Sequence, residues 1–147
     1  MARTRRNSVR TRRRSARPYE DLLGFGADDI VFVHDGAAGF GETWHRGVRD
    51  PGGLELIAER VRRHARMRSP PNSIASEVLR AVIQLHPFWD ANHRTGYALA
   101  QEVLRFFGYR LEVPVEEAEA FVRSIDARNL GERAVLEWLQ KWVRPLR

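Results

Sequence analysis

At 147 residues, 43% apolar and 30% charged, the chain is sized for one packed domain, and with no cysteine it has no disulfides, thiolate metal sites or cysteine nucleophile. No apolar run approaches the roughly 18 residues of a membrane span, and the N-terminus lacks the apolar block of a secretory leader, so a cytoplasmic protein without membrane contact is expected. The formal net charge of +6 comes from eight arginines among residues 1–17, where there is no acid; the rest of the chain is slightly acidic.

Residues 1–18 are a low-complexity stretch of Arg, Ser and Thr, short of the apolar groups that offset ordering entropy. A basic disordered arm over 1–18 is therefore expected, ahead of a domain spanning 19–147. Its arginines suit phosphates, which makes nucleic acid a candidate partner, although no aromatic interleaves them to stack on bases. Asp28 or Asp29 is placed to cap a helix from about Ile30 through His34. The stretch from Ala37 to Gly53 is glycine-rich and broken by a Pro-Gly turn. A second helix follows, with Leu54, Ile57, Ala58 and Val61 on one face and Glu59, Arg60, Arg62 and Arg63 opposite.

Pro70-Pro71-Asn72-Ser73 breaks the chain and opens a third helix carrying Ile74, Val78, Val82 and Leu85. A fourth starts near Asn92 and ends at Gly108, which suits a left-handed cap. Pro114 opens a fifth, with Val115, Ala118, Phe121, Val122 and Ile125 as its stripe. The last runs from about Glu132 to Val143 through Val135, Leu136, Leu139 and Trp142. Only Arg110–Val113 and the glycine-rich stretch suit extended backbone. The fold class expected is all-α, in a single domain.

Chemistry concentrates in the run His86-Pro87-Phe88-Trp89-Asp90-Ala91-Asn92-His93-Arg94-Thr95. One apolar helix ends at Leu85 and another begins after a short polar turn. Backbone N–H groups at the start of a helix lack partners within it, and the helix dipole makes that end an anion site. Ala91 is small enough to let a phosphate approach the backbone, and Arg94 offers a fork of donors for its oxygens. Asp90 suits Mg²⁺, which favours one carboxylate together with substrate phosphates. His86 is of the type that removes a proton from an incoming hydroxyl near neutral pH. Phe88 and Trp89 read as packing that anchors the loop. Each residue alone fits an ordinary helix-loop-helix; their conjunction within ten positions does not.

The segment resembles the signature of the Fic/Doc family: His-Pro-Phe, an acid two residues on, a small residue, Asn, Gly or Lys, then Arg. His86, Pro87, Phe88, Asp90, Asn92 and Arg94 match it. The likeness extends upstream through His34-Asp35, the Gly39–Gly41 region and the run from Gly47 to Glu55, so that it covers about residues 27–147. It implies a compact helical fold with the active-site loop between two central helices. It also implies that His86 deprotonates a hydroxyl of a target protein, that Asp90 coordinates Mg²⁺ on the phosphates of ATP, and that Ala91, Asn92, His93, Arg94 and Thr95 surround those phosphates. Arg49, Asp50, Pro51, Gly52 and Gly53 resemble the flap that aligns an extended target segment.

Three departures bear on the chemistry. Adenylylating members of the family usually have Gly at the positions of Ala91 and His93, and a second Arg at that of Tyr97. Ala91 and Tyr97 look more like the Doc branch, toxins that transfer the γ-phosphate, with elongation factor Tu as the target of the prototype and a separate antitoxin chain as partner. Doc-type members usually carry Lys at position 93, so His93 fits neither branch. Phosphoryl transfer is expected, with adenylylation as the alternative. A reading of another class is a non-enzymatic nucleic-acid-binding or scaffold protein using the Arg-rich arm. Ser73-Ile74-Ala75-Ser76-Glu77 fits five positions of the family's self-inhibitory helix but falls in a helix the core needs, which reads as coincidence. The five histidines show no metal-ligand spacing, which argues against a metal hydrolase.

Overall fold

The computed structural model describes residues 14–37 and 47–146, which form seven helices and two short strands. The fold starts earlier than the basic arm was expected to end. Ser15 is already buried, its N–H donating to the Phe106 carbonyl at 2.9 Å and its hydroxyl to Asp21 at 2.6 Å. Residues 14–18 thus belong to the domain, and residues 1–13 lie outside the described part. A five-residue helix, α1 (Pro18–Leu22), follows, too short to leave a periodic signal. Helix α2 (Ala27–Ala37) begins three residues before the expected start because Asp29 reaches back to accept the Gly26 N–H at 2.9 Å, the acid half of a capping box.

Helix α3 (Pro51–Arg66) also starts early. Asp50 caps it, accepting the Gly53 N–H at 3.0 Å, and Pro51 needs no N–H partner at the first helical position. Two adjacent glycines and a Pro-Gly pair read as a turn from sequence, yet here they form the first helical turn. The face of Leu54, Ile57, Ala58 and Val61 is buried as its spacing requires.

At the centre lies α4 (Pro71–Leu85), buried almost without break from Ile74 to Ile83 and touching α3, α5, α6 and α7. Its main partner is α5 (Asn92–Phe106). Gly96 lets the two backbones close up: a Cβ there would stand 3.1 Å from the Leu79 carbonyl oxygen and 3.2 Å from Ile83 Cγ1. Beyond Phe107, Gly108 takes φ +93°, the left-handed stop anticipated for it. Strand β1 (Tyr109–Leu111) leads to α6 (Val115–Ala127) and α7 (Glu132–Trp142), and β2 (Val143–Pro145) returns to pair antiparallel with β1, Leu111 opposite Val143.

Val115, expected in the core, is exposed, while Trp138 supplies apolar mass from α7 by stacking on Phe121 with ring centroids 4.2 Å apart. The architecture is all-α, with one two-stranded pairing added to it. Among the described residues no helix is long and apolar enough to cross a membrane.

Candidate active site

The loop joining α4 to α5 is bounded by two strained residues. His86 closes α4 at φ 50°, ψ 58°, and Ala91 opens α5 at φ 63°, ψ 28°. Left-handed backbone costs a residue with a Cβ about 1–2 kcal/mol, so the surroundings must impose it. They do so from several sides. The Asn92 side chain is buried and clamps Phe88 twice, its Oδ1 accepting the Phe88 N–H at 3.1 Å and its Nδ2 donating to the Phe88 carbonyl at 2.9 Å. The Phe88 ring is buried face to face against His34 of α2, centroids 3.8 Å apart. His34, itself fully buried, donates from Nε2 to the Asp90 carbonyl at 3.1 Å.

From the other side the chain before α3 straps the loop down. The Arg49 and Asp50 N–H groups donate to the Pro87 carbonyl at 2.8 and 3.0 Å, and Val48 forms a single antiparallel bridge with Phe88. The Arg49 guanidinium donates to the carbonyls of Leu85 and His86 at 2.9 and 2.7 Å, closing the last turn of α4. These carbonyls have no helical partner of their own, and a cation there also answers the helix dipole.

Chemical groups line the remaining, open side. No side chain caps α5, so the N–H groups of its first turn have no partner within the helix or from a capping side chain. Arg94 is exposed beside them. Asp90 is exposed too, with one carboxylate oxygen accepting the Ala91 N–H at 2.8 Å. His86 is half-exposed, and so is His93, whose Nε2 lies 2.9 Å from Asp126 Oδ1. The other oxygen of Asp126 lies 3.7 Å from His86 Nε2. Burial pushes the Asp126 carboxyl up, but the hydrogen bond from His93 and the charges of His93 and His86 outweigh it and hold it below the ordinary value. A hollow of about 650 Å³ opens next to this group, between α5 and α6, lined among others by His93, Arg94, Tyr97, Leu111, Val122 and Arg123.

His86 and His93 share Asp126, His93 and Arg94 line the hollow, and Asp90 accepts from Ala91 at the start of α5. The Asn92 side chain is spent on the loop, which leaves its backbone N–H, the first of α5, as what it can offer an anion. Thr95 is fully buried one turn into α5, its N–H given to the Ala91 carbonyl. Trp89 is exposed rather than a packing anchor. The expected flap of Arg49 to Gly53 divides into a strap and a helix start: Arg49 and Asp50 hold the loop and cap α3, while Pro51, Gly52 and Gly53 are helical. The upstream glycines at 39 and 41 lie outside the described residues.

Glu77 of the inhibitor-like run is buried between α3 and α4, 3.3 Å from Arg60 and 3.6 Å from His64, away from the open face. Two contributors were not singled out from sequence for these roles. His34 and Asp126 meet the loop from 56 and 33 residues away, separations that local spacing does not register.

A strained loop between two packed helices, with His86 and Ala91 in left-handed backbone at its ends, marks a helical domain built around this loop. The model of the Fic/DOC family matches residues 27–104, more than half of the chain and all of the loop just described. The protein belongs to the Fic/DOC family. It is also similar to a Fido domain-containing protein of Dictyostelium discoideum, 34% identical over 59 residues. That match takes in 40% of this chain and 41% of the relative.

Proposed function

We propose that the protein transfers part of a nucleoside triphosphate, with ATP as the donor, to a hydroxyl group of another protein. The observation that carries this reading is the N-terminus of α5 without a side-chain cap, entered through a strained loop that runs from His86 to Ala91. Strain of this kind is kept where a site needs it. The N–H groups of the first turn and Arg94 hold the phosphates, acting on charge that builds up during transfer. His86 takes the proton of the incoming hydroxyl as the new O–P bond forms.

Asp90 fits Mg²⁺. It is an exposed carboxylate with one oxygen uncommitted, at the mouth of the anion site, and among the described residues no cluster of three acidic or imidazole groups would form a closed cage instead. Mg²⁺ keeps few protein ligands and takes the rest from phosphates and water, and when bound it would neutralise phosphate charge. The hollow between α5 and α6 has the volume of a small-molecule site. Tyr97 contributes a ring there, and a phenol supplies no positive charge at this position to grip a triphosphate.

That neutral residue favours γ-phosphoryl transfer, with a translation factor such as elongation factor Tu as the class of target and a separate antitoxin chain as regulator. Membership of the family favours nucleotidyl transfer as the second reading. Intact-mass analysis of a modified target separates the two. A phosphoryl gain supports the first reading, a nucleotidyl gain replaces it with the second, and no gain with ATP in any extract removes both.

A further inference from the structure

We infer that Asp126 is a positioning residue for His86, acting with His93 as one carboxylate shared by two imidazoles. The inference rests on the transferase reading given above. Its ground is the geometry at the end of α6. Asp126 Oδ1 is hydrogen-bonded to His93 Nε2 at 2.9 Å, and Asp126 Oδ2 lies 3.7 Å from His86 Nε2. The two rings stand nearly perpendicular, with centroids 6.1 Å apart, so each presents its Nε2 edge to a different oxygen of the same carboxylate.

The two distances imply different roles. At 2.9 Å His93 makes a true hydrogen bond, which fixes the carboxylate's orientation. At 3.7 Å the contact with His86 is too long for one and acts through charge alone. It therefore does little for neutral His86 and most for the imidazolium that exists once the hydroxyl proton has arrived. All three side chains are only partly exposed, so the attraction is less screened than on an open surface. The lowered carboxyl of Asp126 is consistent with this arrangement, since it keeps the group charged wherever His86 works.

The same geometry gives residue 93 a purpose. A lysine or glycine at this position, as the resemblance leads one to expect, would not tie α5 to Asp126 with a planar ring. His93 acts here as the brace that holds the carboxylate against His86. The proton moves from the target hydroxyl to His86, the O–P bond forms, the bond to the leaving nucleotide or pyrophosphate breaks, and Asp126 stays ionised throughout.

The test compares wild type, Asp126→Asn, Asp126→Glu, His86→Ala and the His86→Ala/Asp126→Asn pair, using labelled ATP and an extract of the expression host. The proposal expects Asp126→Asn to lower the maximal rate roughly ten- to hundredfold, a part of what a positioned base supplies. The ATP concentration for half-saturation should stay within about twofold, since no phosphate contact is lost. Asp126→Glu should recover part of the rate, and Asp126→Asn should cost nothing further once His86 is alanine.

A wild-type maximal rate in Asp126→Asn, or a loss carried wholly by half-saturation, overturns the proposal. Unfolding in urea adds a readout that needs no substrate. His93→Gln and Asp126→Asn should be non-additive by about 1.5- to 5-fold in the unfolding equilibrium, the range of partly exposed ion pairs. Strictly additive effects would overturn the arrangement even if labelling changed. An extract that even wild-type protein fails to label counts against the transferase reading itself, and the urea cycle then decides the His93–Asp126 link alone.

Discussion

Asn92 shows how a motif residue can spend its side chain on the loop that carries the motif. Its place in the motif suggested a phosphate ligand, but both ends of its amide are occupied by the backbone of Phe88. Replacing it with alanine leaves a buried N–H and a buried carbonyl without partners. Asn92→Ala should therefore destabilise the fold by about 1–3 kcal/mol in urea unfolding; a change below about 0.5 kcal/mol would mean the clamp is dispensable. Asp126 gives a second test at this scale, with the sign fixed by its lowered carboxyl. A depressed folded-state value contributes stability that is fully present above the unfolded value, near ~4, and is lost as pH falls through the folded one. The urea-midpoint difference between wild type and Asp126→Asn should thus be greatest just above about pH 4, where the imidazoles are charged, and shrink on further acidification. A difference that grows below that pH would reverse the assignment.

The elements were legible where apolar spacing is regular, and less so at their ends. The faces of α3 and α4 follow from residues such as Leu54, Ile57 and Val61, or Ile74, Val78 and Val82, because a 3.6-residue period leaves little choice of which side is buried. The start of α3 was hidden by Pro51-Gly52-Gly53, whose turn propensity is overruled by the Asp50 cap and the strap onto Pro87. Strand β2 was hidden because its partner β1 lies some thirty residues away and neither is long enough to show alternation. The motif residues His86, Asp90 and Arg94 could be picked out together because they lie within nine positions. Asp126 could not, and His34 was marked only by the likeness around His34-Asp35, since it is packing of α2 and α6 that brings the two to the loop.

That packing also makes the α4–α5 contact the element most sensitive to change. Gly96→Val would drive two methyl groups toward the Leu79 carbonyl and Ile83, where even a Cβ stands at 3.1 and 3.2 Å. The expected cost is about 1–3 kcal/mol of overpacking, seen as a lowered Tm, and the loop between the two helices should loosen with it. An unchanged Tm would show that the helices have room to separate.

At the scale of the whole molecule, a central helix pair holds a strained loop whose open side collects an imidazole, a carboxylate, a guanidinium and an uncapped helix start. The fold supplies rigidity and the loop supplies chemistry, which is why so few of the residues at the site are spent on the core. Membership of the Fic/DOC family agrees with that division, since the matched residues run from α2 through most of α5 and include every element that holds the loop from the α2 and α3 sides.

The proposed transfer depends on His86 as the acceptor of the hydroxyl proton. It is tested most directly by incubating wild type and His86→Ala with labelled ATP and cell extract, then comparing label on protein. A labelled target is expected with wild type and a loss of at least about a hundredfold with His86→Ala, since this side chain is half-exposed and its removal should leave the fold intact. Equal labelling by the two proteins would contradict it.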